Sequence, residues 1–332
     1  MTEKKKVVVN FKFDPHNNII GYENYVAEFE KKGFEVILDK RYRPLEQNEL
    51  IELLKEHNAY ANVMPAQVID SNVLDACPSV KLFARMGAGF DGIDLDACTK
   101  RGVAVTNTPG GNAEAVAEYA LSMMLALSRK IVMIDAATRK GVWKQVFGTC
   151  LLRKTIGILG FGNIGKCVAK FVKGFDMRIL VYDVYKDEEF AKKHGCTYVP
   201  LETLLRESDF ITIHTPFIDE TANMISTKEF EMMKPGVQLC NCARGGVVDE
   251  AAMIAALKSG KLKGAALDVF SEEPLPLSSE LYKLENVILS PHTAGMTYEG
   301  RGKVVEMAFQ NVVEFSEGKI PSGTINKELY KK

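Results

Sequence analysis

The feature that most constrains this chain is a rhythm. Short runs rich in β-branched residues alternate with stretches whose apolar positions recur at helical spacing, and the alternation is completed twice. KVVVNF, FEVIL, AYANV, KLFAR and VAVTN read as strands in the first third, and between them NELIELLKEH places Leu50, Leu53 and Leu54 on one helical face. After residue 150 the rhythm restarts with TIGILG, RILVYD, TYV, FITIH, VQLCN, GAALDV and NVILS. Nearly continuous apolar strands separated by helices are the mark of parallel sheets covered by helices on both faces. The expected fold class is therefore α/β, with two doubly wound domains.

A length of 332 residues with 46% hydrophobic content is ample for two cores. The turn Thr108-Pro109-Gly110-Gly111 precedes a helical stretch from about Asn112 to Ala137, and a second helix from Thr297 to about Ser316 follows Pro291-His292. One domain is thus expected from residues 1–107 together with 293–332, and the other from 108–292. A ligand is expected in the cleft between them, because open parallel sheets bind beyond the carboxyl ends of their strands.

A formal net charge of -1 with interspersed signs gives nothing to attract nucleic acid or a membrane surface. The amino terminus lacks a signal-peptide core, no window is apolar enough to span a bilayer, and seven scattered cysteines fit reduced thiols, so a cytoplasmic protein is expected. Cys240 and Cys242 share one strand face, but no second Cys or His pair accompanies them, and no metal is expected.

TIGILGFGNIGKCVAKFV carries Gly160, Gly162 and Gly165 in G-x-G-x-x-G spacing. Alone the pattern is weak; here an apolar strand precedes it and an amphipathic helix with Ile164, Val168 and Val172 follows. Gly160 permits a tight turn, Gly162 lets backbone approach a pyrophosphate at the helix N-terminus, and Gly165 lets helix and strand pack closely. RILVYD then ends in Asp183, roughly 20 residues beyond the last glycine, where an acid accepts from the adenosine ribose and repels a 2′-phosphate. NAD is favoured over NADP.

NCARGGVVDE raises a separate question, because an arginine follows directly on a buried strand. A guanidinium needs an anionic partner or water there. At the carboxyl edge of the second sheet, Arg244 is suited to bidentate capture of a carboxylate, with Gly245 and Gly246 allowing close backbone approach and Asp249 capping the next helix. GAALDVFSEEP ends its strand with Asp268 and carries Glu272 and Glu273; NVILSPH ends the next with His292. Arginine, carboxylate and histidine beyond neighbouring strands make an acid-base site, in which an imidazole oriented by a carboxylate serves carbonyl-alcohol interconversion. His214 also ends a strand, without a comparable acid after it, and His16, His57 and His194 carry no other chemical signal.

GAGFDGID (87–94), TNTPGGNAEAVAE (106–118), GILGFGNIG (157–165), HTP (214–216), NCARGG (241–246), LDVFSEEP (267–274) and SPH (290–292), in this order, resemble the D-isomer-specific 2-hydroxyacid dehydrogenase family over nearly the whole chain. That family includes phosphoglycerate dehydrogenases, hydroxypyruvate and glyoxylate reductases and D-lactate dehydrogenases. The resemblance implies a flavodoxin-like substrate domain, a Rossmann domain that binds NAD, and a homodimer. It implies that Arg244 holds and polarises a 2-keto acid, that His292 is the proton donor in reduction, and that Glu273 pairs with it. It further places Gly160, Gly162, Asn163, Ile164, Gly165, Asp183, His214, Thr215, Pro216, Cys242 and Asp268 at the cofactor. Met64, Arg85, Met86 and Gly87 fall at the substrate, with the amides of Met86 and Gly87 on its carboxylate.

Phosphoglycerate dehydrogenases generally carry a phosphate-holding arginine just after the strand read here as AYANV, and this chain has Val63-Met64-Pro65. Unless Arg85 compensates, the expected substrate is a small unphosphorylated 2-keto acid such as hydroxypyruvate or glyoxylate, with phosphohydroxypyruvate as the alternative. A scaffold of the kind formed by the carboxy-terminal-binding-protein corepressors is the alternative of another class. A nucleotide-sugar or polyol dehydrogenase is disfavoured, since Arg244 would then lack its carboxylate.

Overall fold

A computed structural model describes residues 4–10, 22–39, 41 and 45–331. Phe11, which ends the first expected strand, and His16 lie outside the described residues. The chain forms two compact units, one from the described residues of Met1–Asn112 with Thr297–Lys332 and one from Ala113–Met296.

The first unit alternates β1 (Lys5–Val9), α1 (Tyr22–Lys31), β2 (Phe34–Leu38), α2 (Gln47–Glu56), β3 (Ala61–Met64), α3 (Ser71–Ala76), β4 (Leu82–Arg85), α4 (Leu95–Lys100) and β5 (Ala104–Thr106). Among the described residues these strands form an all-parallel sheet in the order β2-β1-β3-β4-β5. The second unit runs α5 (Ala113–Ser128), α6 (Ile131–Arg139), β6 (Thr155–Leu159), α7 (Asn163–Phe171), β7 (Arg178–Tyr182), α8 (Glu188–His194), β8 (Cys196–Tyr198), α9 (Leu201–Glu207), β9 (Phe210–Ile213), α10 (Thr227–Met232), β10 (Val237–Asn241), α11 (Glu250–Lys258), β11 (Leu262–Leu267) and β12 (Val287–Leu289). Its sheet is also parallel throughout, in the order β12-β11-β10-β9-β6-β7-β8. α12 (Tyr298–Ser316) returns the chain to the first unit.

Strand alternation explains how each sheet is buried on both faces. Val7 and Val9 of β1 pack with Phe309 and Val312 of α12 on one side, while Val8 packs with Leu50, Leu54 and Phe83 on the other. In the second unit, Ile156 and Ile158 of β6 meet Ala117 and Ala120 of α5 and Val168 of α7. On the opposite face Leu159 joins a cluster with Leu204, Phe230, Met253 and Leu257 from α9, α10 and α11.

Two details differ from the sequence reading. The turn at 108–111 belongs to the first unit: the Thr108 hydroxyl accepts from the Gly87 amide at 2.8 Å, and a Cβ on Gly111 would lie 2.9 Å from Val304 of α12. The stretch expected as one helix to Ala137 is broken at Lys130, which is left-handed at φ 56°. The returning segment satisfies the helix end, for Thr149 N–H donates to the Ser128 carbonyl at 2.8 Å. Among the described residues no helix is long and apolar enough to cross a membrane.

The carboxyl-terminal segment covers the edge strand β5. The Asn326 side chain accepts from Val105 N–H at 2.9 Å and donates to the Val103 carbonyl at 2.9 Å and to the Thr99 hydroxyl at 3.1 Å, while Ile325 N–H reaches the Val105 carbonyl. Asn326 thus stands in for the missing neighbouring strand. Asn326→Ala orphans a buried donor and a buried acceptor, each worth about 1–3 kcal/mol when unpaired. The expected outcome is a lower urea midpoint by far-UV circular dichroism and faster hydrogen exchange at the Val105 amide.

Candidate active site

The carboxyl ends of β6, β9, β10, β11 and β12 all open on one edge of the second sheet. At the centre, where β6 lies between β9 and β7, the order of strand connections reverses, which is the usual ligand position of such sheets. Gly160 turns the chain at φ 88°, and a Cβ there would lie 2.6 Å from the His214 carbonyl carbon. Gly165 seats α7 on the turn, its hypothetical Cβ 2.2 Å from the Gly160 carbonyl oxygen. A Cβ on Gly162 would meet nothing, so the approach to the N-terminus of α7, begun by Asn163 and Ile164, stays open.

Asp183 at the end of β7 closes this loop, accepting from Phe161 N–H at 2.6 Å and from Tyr185 N–H at 2.9 Å. Two carboxylate oxygens retain acceptor capacity beyond two amides, so ribose hydroxyls can still be bound. The neighbouring loop after β9 carries two orphans, His214 Nδ1 and the Thr215 hydroxyl, both buried without a hydrogen-bond partner among the described residues; Pro216 beside them is exposed. His214 is only half-buried as a residue, yet its ring is sealed; burial pushes its pKa down to about 3, and Nε2 pairs with Thr212 Oγ1 at 2.9 Å. Orphaned polar atoms beside an open glycine turn and a ribose-competent carboxylate fit a dinucleotide. The Cys242 thiol is held well above its usual pKa by the Cys240 thiol 3.8 Å away and by burial, so it packs as a neutral group beneath this edge.

Asn241 ends β10 and shapes the next loop, accepting from Ala243 N–H at 3.0 Å and donating to the Arg244 carbonyl at 2.9 Å. Arg244 Nη1 donates to the Ala243 carbonyl at 2.7 Å, bracing the guanidinium against its own strand end. A Cβ on Gly245 would fall 1.9 Å from the Phe270 carbonyl carbon, so only glycine lets the Arg244 loop touch the loop after Asp268. Asp249 caps α11, accepting from Ala252 N–H at 3.0 Å.

His292 Nδ1 lies 2.7 Å from Glu273 Oε2, which settles the choice between the two acids in favour of Glu273. Its other oxygen accepts from Phe270 N–H at 3.0 Å. Burial pushes the Glu273 pKa up, but the hydrogen bonds from His292 and Phe270 and the charges of His292 and Arg244 outweigh it and hold it below the usual glutamate value of 4.5. The carboxylate is therefore ionised at neutral pH. Asp268 is buried and anchors the His292 segment rather than standing open: its carboxylate accepts from the Ser290 hydroxyl at 2.6 Å, Thr293 N–H at 2.9 Å and Ala294 N–H at 2.8 Å. A hollow of about 530 Å³ adjoins the pair, walled by Phe270, Pro274, Leu275, Tyr282, Leu289 and Pro291.

Met64, Arg85, Met86 and Gly87 lie in the first unit, at the ends of β3 and β4. Met64 is fully buried in the core with Val8 and Ile69, so its side chain presents no surface to a ligand. Met86 N–H donates to the Met64 carbonyl at 2.8 Å and Gly87 N–H to Thr108, which leaves neither amide unengaged for a carboxylate. The Arg85 guanidinium folds over Gly87 and donates to the Met86 carbonyl. Sequence reasoning assigned no role to Asn241 and Ser290, although they open the motifs NCARGG and SPH at the ends of apolar strands.

The family model of the D-isomer specific 2-hydroxyacid dehydrogenase, NAD binding domain, matches residues 121–294. A glyoxylate reductase of Korarchaeum cryptofilum is 41% identical over 307 residues, covering 91% of this chain and 92% of that protein. One from Thermococcus litoralis is 41% identical over 316 residues, covering 92% and 95%. The crystal structure of D-lactate dehydrogenase from Aquifex aeolicus complexed with NAD and lactic acid matches with a TM-score of 0.81 at 30% identity, over 96% of this chain and 99% of that one. Together with the nucleotide edge and the paired imidazole, this makes the chain a member of the D-isomer-specific 2-hydroxyacid dehydrogenases, an NAD-dependent oxidoreductase family.

Proposed function

We propose that this enzyme reduces a small unphosphorylated 2-keto acid, glyoxylate or hydroxypyruvate, to the 2-hydroxy acid, with Arg244, Glu273 and His292 as its catalytic residues. The observation that carries the roles is the 2.7 Å contact between His292 Nδ1 and Glu273 beside the Arg244 loop. The glyoxylate reductases at 41% identity support the choice of substrate.

Gly160, Gly162 and Gly165 shape the cofactor turn, the N-terminus of α7 would hold the pyrophosphate, and Asp183 would accept from the ribose hydroxyls. The chemistry that NAD would supply when bound there is hydride transfer. Arg244 holds the keto acid and draws electron density towards its carbonyl oxygen, as a planar guanidinium can. With Nδ1 held by Glu273, His292 presents Nε2 to that oxygen and gives it a proton in reduction, or takes it back in oxidation. The ionised Glu273 stabilises the imidazolium and fixes ring orientation.

An unphosphorylated substrate is further supported by the uncharged Met64 at the sequence position where the resemblance implies a phosphate-holding arginine, and by Arg85, which donates to the Met86 carbonyl in its own loop. NADH oxidation by the purified protein should be fastest with glyoxylate or hydroxypyruvate and much slower with NADPH. Faster turnover of phosphohydroxypyruvate overturns the substrate assignment, and no turnover of any keto acid favours a scaffold. His292→Ala should lose roughly 10² to 10⁴ in kcat, the scale of a general acid-base group; near-normal turnover rejects the role. Because the Glu273 pKa is lowered, its ionised pairing is complete above 4.5 and is lost as pH falls through the lower folded value, so the stability deficit of Glu273→Gln should shrink below pH 4.5.

A homodimer completes the proposal. α6 has no buried residue in the single chain, although a nine-residue helix is marginal without packing. Trp143 and Phe147 after it are 92% and 97% exposed, and Ile131, Val132 and Val142 lie open with them. Such a patch calls for a covering surface, and a second copy of the chain supplies one. Sedimentation should give a dimer, and Trp143→Asp combined with Phe147→Asp should give a folded monomer; a monomeric wild type overturns the assembly.

A further inference from the structure

Ser290 follows β12, two residues before His292, and nothing in the chemistry above requires it to be a serine. Its hydroxyl donates to Asp268 Oδ1 at 2.6 Å, and the same oxygen accepts from Thr293 N–H at 2.9 Å. Oδ2 accepts from Ala294 N–H at 2.8 Å, and the Asp268 main-chain carbonyl accepts from His292 N–H at 2.8 Å. Residues on both sides of His292 therefore hang on one aspartate, which is 1% exposed. The clasp spans a strained point: His292 is non-glycine at φ 50°, a conformation that persists only where its surroundings over-determine it. Tyr119, on α5, also makes a side-chain hydrogen bond with Ser290.

We infer that Ser290 is a positioning residue for proton transfer: its hydroxyl completes the Asp268 clasp that holds the His292 backbone left-handed, so that Nδ1 meets Glu273 and Nε2 meets the substrate oxygen. A buried carboxylate with three short donors is rigid, and a rigid carboxylate fixes the segment it holds. Removing the hydroxyl leaves Oδ1 with the Thr293 amide alone, and on the near side of His292 only main-chain bonds remain, from Ser290 N–H to the Leu267 carbonyl at 2.9 Å and from His292 N–H to the Asp268 carbonyl. The carboxylate stays buried, so the displacement falls on the backbone. An ångström of misplacement at a reacting group is enough to lose a large part of the rate.

The inference rests on His292 being the proton donor, and the variants separate the two. Ser290→Ala, Ser290→Thr, the near-isosteric Ser290→Cys, His292→Ala and the double variant Ser290→Ala/His292→Ala are compared by kcat, KM, solvent isotope effect on kcat and NADH binding by fluorescence. The expected result for Ser290→Ala is a kcat loss of about 10- to 100-fold with a raised solvent isotope effect and NADH affinity within about twofold. Threonine keeps the hydroxyl and should restore most of the rate; cysteine, a weak donor, should fall between alanine and threonine and serves if the alanine variant does not fold. In the His292→Ala background the serine change should add no more than about a twofold loss, because its route to the chemistry is gone. A wild-type kcat in both Ser290→Ala and Ser290→Cys, or an equal loss with and without His292, overturns the positioning role while leaving His292 in place. Near-normal turnover in His292→Ala removes the proton donor itself and the inference with it.

Discussion

Parallel strands can be joined only by crossovers that carry the chain back to the starting edge, and the arrangement of this protein's site follows from that constraint. Every strand of the second sheet ends on the same side, so chain segments far apart in sequence emerge side by side at 160, 214, 241–246, 268–273 and 290–294. What remains is how closely the loops can approach. Gly160 against His214, Gly165 against Gly160 and Gly245 against Phe270 remove the side chains that would keep them apart. These glycines need no φ argument beyond Gly160; their use is contact.

Burial then sorts the ionisable groups at this edge. His214 and His292 both follow a strand, yet one has a sealed ring with an unpartnered Nδ1 and the other faces an ionised carboxylate at 2.7 Å. Burial without an anion keeps the first neutral, while the carboxylate orients the ring of the second. The acids divide similarly. Glu273 keeps its charge beside His292 and Arg244, whereas Asp268 spends its acceptors on Ser290, Thr293 and Ala294. In the proposed mechanism one carboxylate acts through its charge and the other through the shape it imposes.

Much of this was legible in the chain because the signals are local. The strand runs, the G-x-G-x-x-G turn with its acid at Asp183, and Arg244 and His292 beyond apolar strands each rest on neighbours in sequence. The reading failed where a distant segment intervened. α5 ends at Ser128, whose carbonyl accepts from Thr149 N–H, before the expected helix is complete, and the turn at 108–111 packs against α12 in the first unit. The amides of Met86 and Gly87 looked available and are engaged, by the Met64 carbonyl and by Thr108.

The sequence alone determined the α/β class, the strand order in time and the residue types at each strand end, because apolar periodicity and turn chemistry act over a few residues. Tertiary structure decided which strand ends become neighbours, that Met64 is core rather than lining, and that Asp268 is a clasp. Those outcomes depend on distances across loops that share no local pattern, and only the packed sheet sets such distances.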